Sequence, residues 1–116
     1  MEQKILDAFK GFGKYFTMYF SDARTVSWRA TSEGIPSDKI ELGEFGSSEK
    51  EYISPYDIHE AFFDDSDGCV LRLVGAKGKI LFEGEFHGIG GADFAAFLFE
   101  RFNGYLTAYK RFNLGK

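Results

Sequence analysis

Four short patterns in this 116-residue sequence combine residue types that take part in catalysis or ligand binding. The first, Gly-Ile-Gly-Gly-Ala-Asp at residues 88–93, lies between an expected strand and an expected helix. Free backbone N–H groups and the helix dipole can hold a phosphate at such a position. Asp93 takes the place of the third glycine of a dinucleotide fingerprint, and its carboxylate would repel a phosphate. We therefore expect a turn followed by a helix cap.

Glu83, Glu85 and His87 form the second pattern, because alternate residues of an expected strand share one face. Carboxylates and an imidazole at this spacing bind metals or form a general acid–base pair, and Arg72 is expected on the partner strand. Alternation along any exposed strand brings such side chains together by geometry alone. We therefore interpret these three residues as a solvated or partner-facing surface, the secondary candidate site of the chain.

The third pattern is the acidic run Asp-Asp-Ser-Asp-Gly at residues 64–68, which has the composition of a calcium-binding loop. Aligning Gly68 with the glycine of such a loop puts Phe63 at the first ligand position and Val74 at the last. Neither side chain carries an oxygen, so a calcium site of this type is excluded. We interpret the run as an acidic entry to a hairpin.

The fourth pattern is one cysteine and two histidines. Cys69 cannot form an intramolecular disulfide, and no Cys/His cluster of the kind that binds zinc surrounds it. It opens an apolar strand and is interpreted as a small buried hydrophobe, while His59 has only Glu60 beside it in the sequence. We therefore assign no catalytic residue, no metal and no cofactor, and favour a protein that is not an enzyme.

The composition predicts one folded domain spanning residues 1–116. The chain is 44% hydrophobic and contains 14 Phe, enough apolar area to offset the conformational entropy lost on folding. The N-terminus carries charges at five of its first 14 positions, unlike a signal peptide, and no apolar run approaches the roughly 20 residues of a membrane span. We expect a soluble cytoplasmic protein with no membrane partner.

Acidic residues are concentrated in the middle third of the chain. Residues 31–68 hold eleven acids and two lysines, a net charge of −9, whereas the remainder has a net charge of +5. Such a separation makes the molecule an electrostatic dipole unless the fold interleaves the two parts. It disfavours nucleic acid and favours a basic protein as partner. The predicted partner-binding surface comprises Glu41, Glu44, Asp57, Glu60, Asp64, Asp65 and Asp67.

The elements that would position these residues begin with an ambiguous segment. Apolar residues recur every three or four positions from Ile5 to Phe16, which predicts an amphipathic helix from Glu2 to Phe20. Two glycines interrupt this stripe, so a short helix followed by a strand is the alternative. Alternating side chains then predict two paired strands, over residues 25–31 and 39–43, joined by a turn.

The middle of the chain predicts a short helix. Ser54 can cap it, Pro55 suits its first turn, and Asp57 occupies the acidic third position of a capping box. The acidic run at residues 64–68 is expected to end this helix. Its apolar side would be formed by Ile58 together with Ala61 and Phe62.

A hairpin and a final helix complete the chain. Strands are predicted over residues 69–74 and 79–87, with alternation directing Ile80, Phe82, Gly84 and Phe86 toward the core. A helical stripe from Phe94 to Tyr109 follows, which Gly104 either ends or interrupts, and residues 105–112 are open to helix or strand. The fold class is therefore α+β: a small antiparallel sheet of β-hairpins, with N-terminal, middle and C-terminal helices packed on one face.

In architecture and charge the chain is similar to toxin-neutralising immunity proteins and other nuclease inhibitors, which are short, acidic and free of catalytic motifs. The similarity implies a protein that covers a basic toxin or nuclease, whose active site carries Lys and Arg to hold phosphates. Two alternatives remain. One is a small-molecule-binding domain or small enzyme with an aromatic-lined pocket, and the other is a structural or phage-derived protein that self-associates.

Overall fold

The computed structural model describes residues 2–66, 68–86 and 91–115 and shows a mixed α+β fold, as predicted. Two antiparallel sheets replace the single expected sheet: four strands in the order β1-β2-β3-β4 and three in the order β5-β6-β7. The elements are α1 Gln3–Ala8, β1 Tyr15–Tyr19, β2 Arg24–Ala30, β3 Pro36–Glu44, β4 Glu51–Ile53, β5 Glu60–Asp64, β6 Val70–Val74, β7 Ile80–Glu85 and α2 Gly91–Arg111.

The N-terminal helix ends long before Phe20, so the longer helix predicted from the apolar stripe is wrong and the alternative is correct. Gly11 and Gly13 follow α1 with φ angles of 88° and 72°, in the left-handed region that glycine adopts without steric cost. A helix cannot continue through this geometry. The chain instead turns into β1, which pairs with β2.

The first sheet is organised around Trp28, the single tryptophan, which is fully buried. In the antiparallel register Trp28 lies between Phe16 of β1 and Ile40 of β3, and its indole Nε1 donates a hydrogen bond to the Ser37 carbonyl at 2.8 Å. The bond satisfies the polar edge of the ring inside an apolar core. The register of β2 and β3 also confirms the predicted pairing of residues 25–31 with residues 39–43.

The middle helix is reduced to a single 3-10 turn, Pro55–Asp57, and the rest of the expected helix is strand β5. The predicted cap is present, because the Ser54 hydroxyl accepts from the Tyr56 N–H at 3.1 Å and the Asp57 carboxylate accepts from the Ser54 N–H at 2.8 Å. Side chains in β5 nevertheless alternate between half-buried and exposed, with a period of two. Pairing with β6 supplies the backbone hydrogen bonds that a longer helix would have made.

The predicted hairpin is confirmed as β6 and β7. Phe82 and Gly84 are buried while Glu83 and Glu85 are exposed, as the alternation requires. The prediction fails for Ile80, which is exposed. A register shift between Leu73 and Val74 leaves one extra residue on β7, and such a bulge reverses the face on which the next side chain lies.

Helix α2 runs without interruption through Gly104 and carries much of the core. Phe102 and Tyr109 pack against Trp28 with ring centroids 6.0 and 5.6 Å away, and one buried cluster includes side chains of both sheets and α2. The start of the predicted stripe is different, since Phe94 and Phe97 are exposed. Of the helices in the described residues, none has the length together with the apolar surface that crossing a bilayer requires.

Candidate functional site

The outer surface of the second sheet brings together acidic residues from distant parts of the sequence. Residues paired across an antiparallel sheet point to the same side, and so do alternate residues along one strand. The outward positions form three rows across β5, β6 and β7. We call this surface the acidic face: Glu60–Val74–Ile80, Phe62–Arg72–Glu83 and Asp64–Val70–Glu85.

Charge on the acidic face is strongly unbalanced. Its four carboxylates belong to Glu60, Asp64, Glu83 and Glu85, all of which are exposed, and Arg72 is the only base among its nine positions. The Arg72 Nε lies 2.5 Å from Glu83 Oε2, so one carboxylate is partly neutralised at the centre. The remaining carboxylates lie at the ends of the strands and give the face a negative field.

Asp64 is held ionised by local hydrogen bonds. The Ser66 hydroxyl donates to its Oδ1 at 2.6 Å and the Ser66 N–H donates to the same oxygen at 2.9 Å. These bonds, the hydroxyl's first, hold the pKa of Asp64 below the ordinary aspartate value, and the positive charge of Arg72 acts in the same direction. The carboxylate therefore stays charged to a lower pH than an aspartate without these hydrogen bonds would.

Apolar side chains lie between the charged ones on the acidic face. Phe62 is 43% exposed and Ile80 is 54% exposed, and the half-buried Val70 and Val74 lie in the neighbouring rows. Sequence reasoning missed this feature because it placed Phe62 on the apolar side of a helix that the acidic run at residues 64–68 would end. Ala61, Phe62 and Phe63 are all apolar, so no polar–apolar alternation in the sequence distinguishes a strand from a helix at this position.

The other predicted acids are placed elsewhere. Glu41 and Glu44 lie in β3 of the first sheet, where Glu41 is 3.6 Å from the Lys50 amine. Asp57 accepts the capping hydrogen bond from Ser54, and Asp65 is exposed after β5. Asp67 and His87 fall outside the described residues. The structure thus joins two members of the main predicted set, Glu60 and Asp64, to two members of the secondary set.

The described histidine and the cysteine precede different strands of the second sheet. His59 is exposed immediately before β5, and Cys69 is a half-buried free thiol before β6. Within residues 2–66, 68–86 and 91–115, no group of three or more His, Cys, Asp or Glu side chains is placed to hold a metal ion.

Comparison with known protein families, with curated protein sequences and with solved structures finds no match to this chain.

Proposed function

We propose that this protein is a non-enzymatic binding module whose acidic face covers a basic surface on another protein, as an immunity or inhibitor protein covers a nuclease toxin. The observation that carries the proposal is the arrangement of Glu60 and Asp64 on β5 beside Glu83 and Glu85 on β7. Two acidic segments about 20 residues apart in the sequence contribute to one exposed surface that holds a single base.

The field of such a surface favours a basic partner in two ways. It steers a positively charged protein during diffusional encounter, and it pairs with Lys and Arg side chains once the complex has formed. A nuclease fits this description because its active site holds cationic side chains that bind phosphates. Clustered carboxylates occupy the same cations that a nucleic-acid backbone would.

The apolar side chains of the acidic face support a protein partner in particular. Protein interfaces combine aromatic and apolar side chains with polar ones, and a few residues, often aromatic, account for most of the binding energy. Phe62 lies in the middle row between Glu60 and Asp64, and Ile80 is in the adjacent row. A small ion would interact with the carboxylates alone and would leave this apolar area exposed.

Glu41 and Asp57 contribute less to the proposed surface. Glu41 lies in β3 of the first sheet with its carboxylate 3.6 Å from the Lys50 amine, and Asp57 lies in the 3-10 turn, so neither belongs to the acidic face. The proposal therefore moves the centre of the predicted site from the whole middle third of the chain to the second sheet.

Photocrosslinking tests this placement in the native cell. A photoreactive amino acid at Val70 should capture a basic protein, while the same amino acid at the exposed Glu49 serves as the control and should not capture it. The captured protein is then titrated calorimetrically with the wild type, Phe62→Ala and Tyr52→Ala. Tyr52 is a matched exposed aromatic residue on β4 of the first sheet.

Phe62→Ala should weaken binding by about tenfold or more, as truncation of an aromatic interface residue that dominates binding does, and Tyr52→Ala should leave it unchanged. Capture of an acidic partner at Val70, or equal loss of affinity in the two variants, would refute the proposed function.

A further inference from the structure

A cavity of about 540 Å³ opens at the corner where the end of β1, the turn after it and the first turns of α2 meet. Its floor includes Phe20, Phe86 and Ala95, which all belong to the buried core. Phe20 and Phe86 pack with ring centroids 4.9 Å apart. The cavity is therefore a recess that reaches the core, and its size is within the range of about 300–1,000 Å³ typical of small-molecule sites.

The rim of this cavity is formed by exposed aromatic rings. Phe45, just after β3, is 62% exposed, Phe94 in α2 is 49% exposed, and Tyr19 completes the rim. The rings of Tyr19 and Phe45 are nearly parallel, with centroids 5.5 Å apart and an interplanar angle of 8°. Leaving such rings in water has a free-energy cost that a bound apolar group would relieve.

None of the described residues that line the cavity carries a charged side chain. The Ser21 hydroxyl is among the polar groups there, and it already donates to the Glu85 carbonyl at 3.2 Å. A charged ligand would lose its hydration without gaining an ionic partner. The described part of the wall therefore favours an uncharged, largely apolar molecule.

We propose that this cavity binds a small, uncharged molecule that contains an aromatic ring. The concave shape and the core-lined floor fit a compact ligand, and the flat surfaces of Tyr19, Phe45 and Phe94 fit ring stacking. The cavity is separate from the acidic face, because Glu60, Asp64, Glu83 and Glu85 are not among its described lining residues. This proposal therefore does not depend on the proposed function.

The test uses N-phenyl-1-naphthylamine, a neutral aromatic probe whose fluorescence rises when it leaves water. Titration of the wild type should give saturable binding of one probe per chain. Phe45→Ala and Phe94→Ala should each raise the dissociation constant by about tenfold, because each removes one stacking surface. Both side chains are about half exposed or more, so neither change should disturb folding.

Phe62→Ala is the matched control, since it removes an exposed Phe ring from the acidic face and should leave probe binding unchanged. Sedimentation equilibrium of the wild type should give a monomer mass at the concentrations used. Three results would overturn the proposal: no saturable binding, equal weakening in Phe62→Ala and the rim variants, or a mass that rises with concentration and falls back to monomer in Phe45→Ala. The last would assign the aromatic rim to contact with a second copy of the chain.

Discussion

Phe20 and Phe86 face each other in an antiparallel bridge that connects the end of the first sheet to the end of the second. The Ser21 N–H, next to Phe20, donates to the Glu85 carbonyl at 2.8 Å and strengthens the same junction. Two sheets that are separate in strand order are thereby fixed relative to each other at one corner. Both the floor of the cavity and the end of the acidic face depend on this junction.

Phe82→Ala should destabilise the protein strongly, by about 3–5 kcal/mol, because it empties a buried volume in contact with Phe20. Glu83→Gln should cost less than about 1 kcal/mol, since its partner Arg72 is partly exposed and the ion pair is screened by water. The measurement is chemical denaturation followed by the emission of Trp28. Similar losses for the two variants would show that the inward and outward faces of β7 are assigned incorrectly.

Ser54→Ala should lower the free energy of unfolding by about 1 kcal/mol, because the Tyr56 N–H would lose its hydrogen-bond acceptor. Asp57→Ala removes the opposite half of the capping box, in which its carboxylate accepts from the Ser54 N–H. A double-mutant cycle measures how strongly the two halves depend on each other. The cap would have no stabilising role if Ser54→Ala left the denaturation midpoint unchanged.

Ser66→Ala should raise the pKa of Asp64 toward the ordinary value of 3.8, because it removes the hydroxyl that donates the shorter hydrogen bond to the carboxylate. An NMR titration of the Asp64 carboxyl carbon measures the change, and Ser47→Ala in another loop is the control. A depressed folded-state pKa stabilises the protein above the unfolded-state value, and this contribution disappears as the pH falls through the folded-state pKa. An unchanged pKa in Ser66→Ala would contradict the assignment.

Sequence patterns predicted the elements that have several alternating residues or a specific capping motif. Alternation around Trp28 identified β2, and the Ser54 cap was located correctly. The hairpin of β6 and β7 had both a turn and two alternating strands, so its inward and outward faces followed directly, apart from the bulge beside Ile80. A bulge depends on how two strands pair, so the alternation of side chains within one strand does not predict it.

The acidic face could be predicted only in part, because it depends on a long-range pairing. Glu83 and Glu85 were assigned to one exposed strand face, and Glu60 and Asp64 to an acidic surface, but nothing local indicated that these two pairs share a sheet. Residues 60–64 are too few for periodicity to decide between helix and strand, and pairing with β6 decides it in the folded protein. The exposure of Phe62 follows from that pairing.

The most direct test of the acidic face is the association rate of charge-reversal variants with the partner captured by crosslinking. Glu60→Lys with Glu85→Lys changes two ends of the acidic face, and Glu49→Lys with Glu51→Lys makes the same change in net charge at exposed positions elsewhere. Stopped-flow association is measured at low and high salt. Steering acts over a Debye length of about 8 Å at physiological ionic strength, so the location of the charges matters.

The account predicts that Glu60→Lys with Glu85→Lys slows association by about tenfold or more at low salt, that high salt removes most of the difference, and that Glu49→Lys with Glu51→Lys has a much smaller effect. A wild-type association rate that does not depend on salt, or equal slowing by the two double variants, would contradict it.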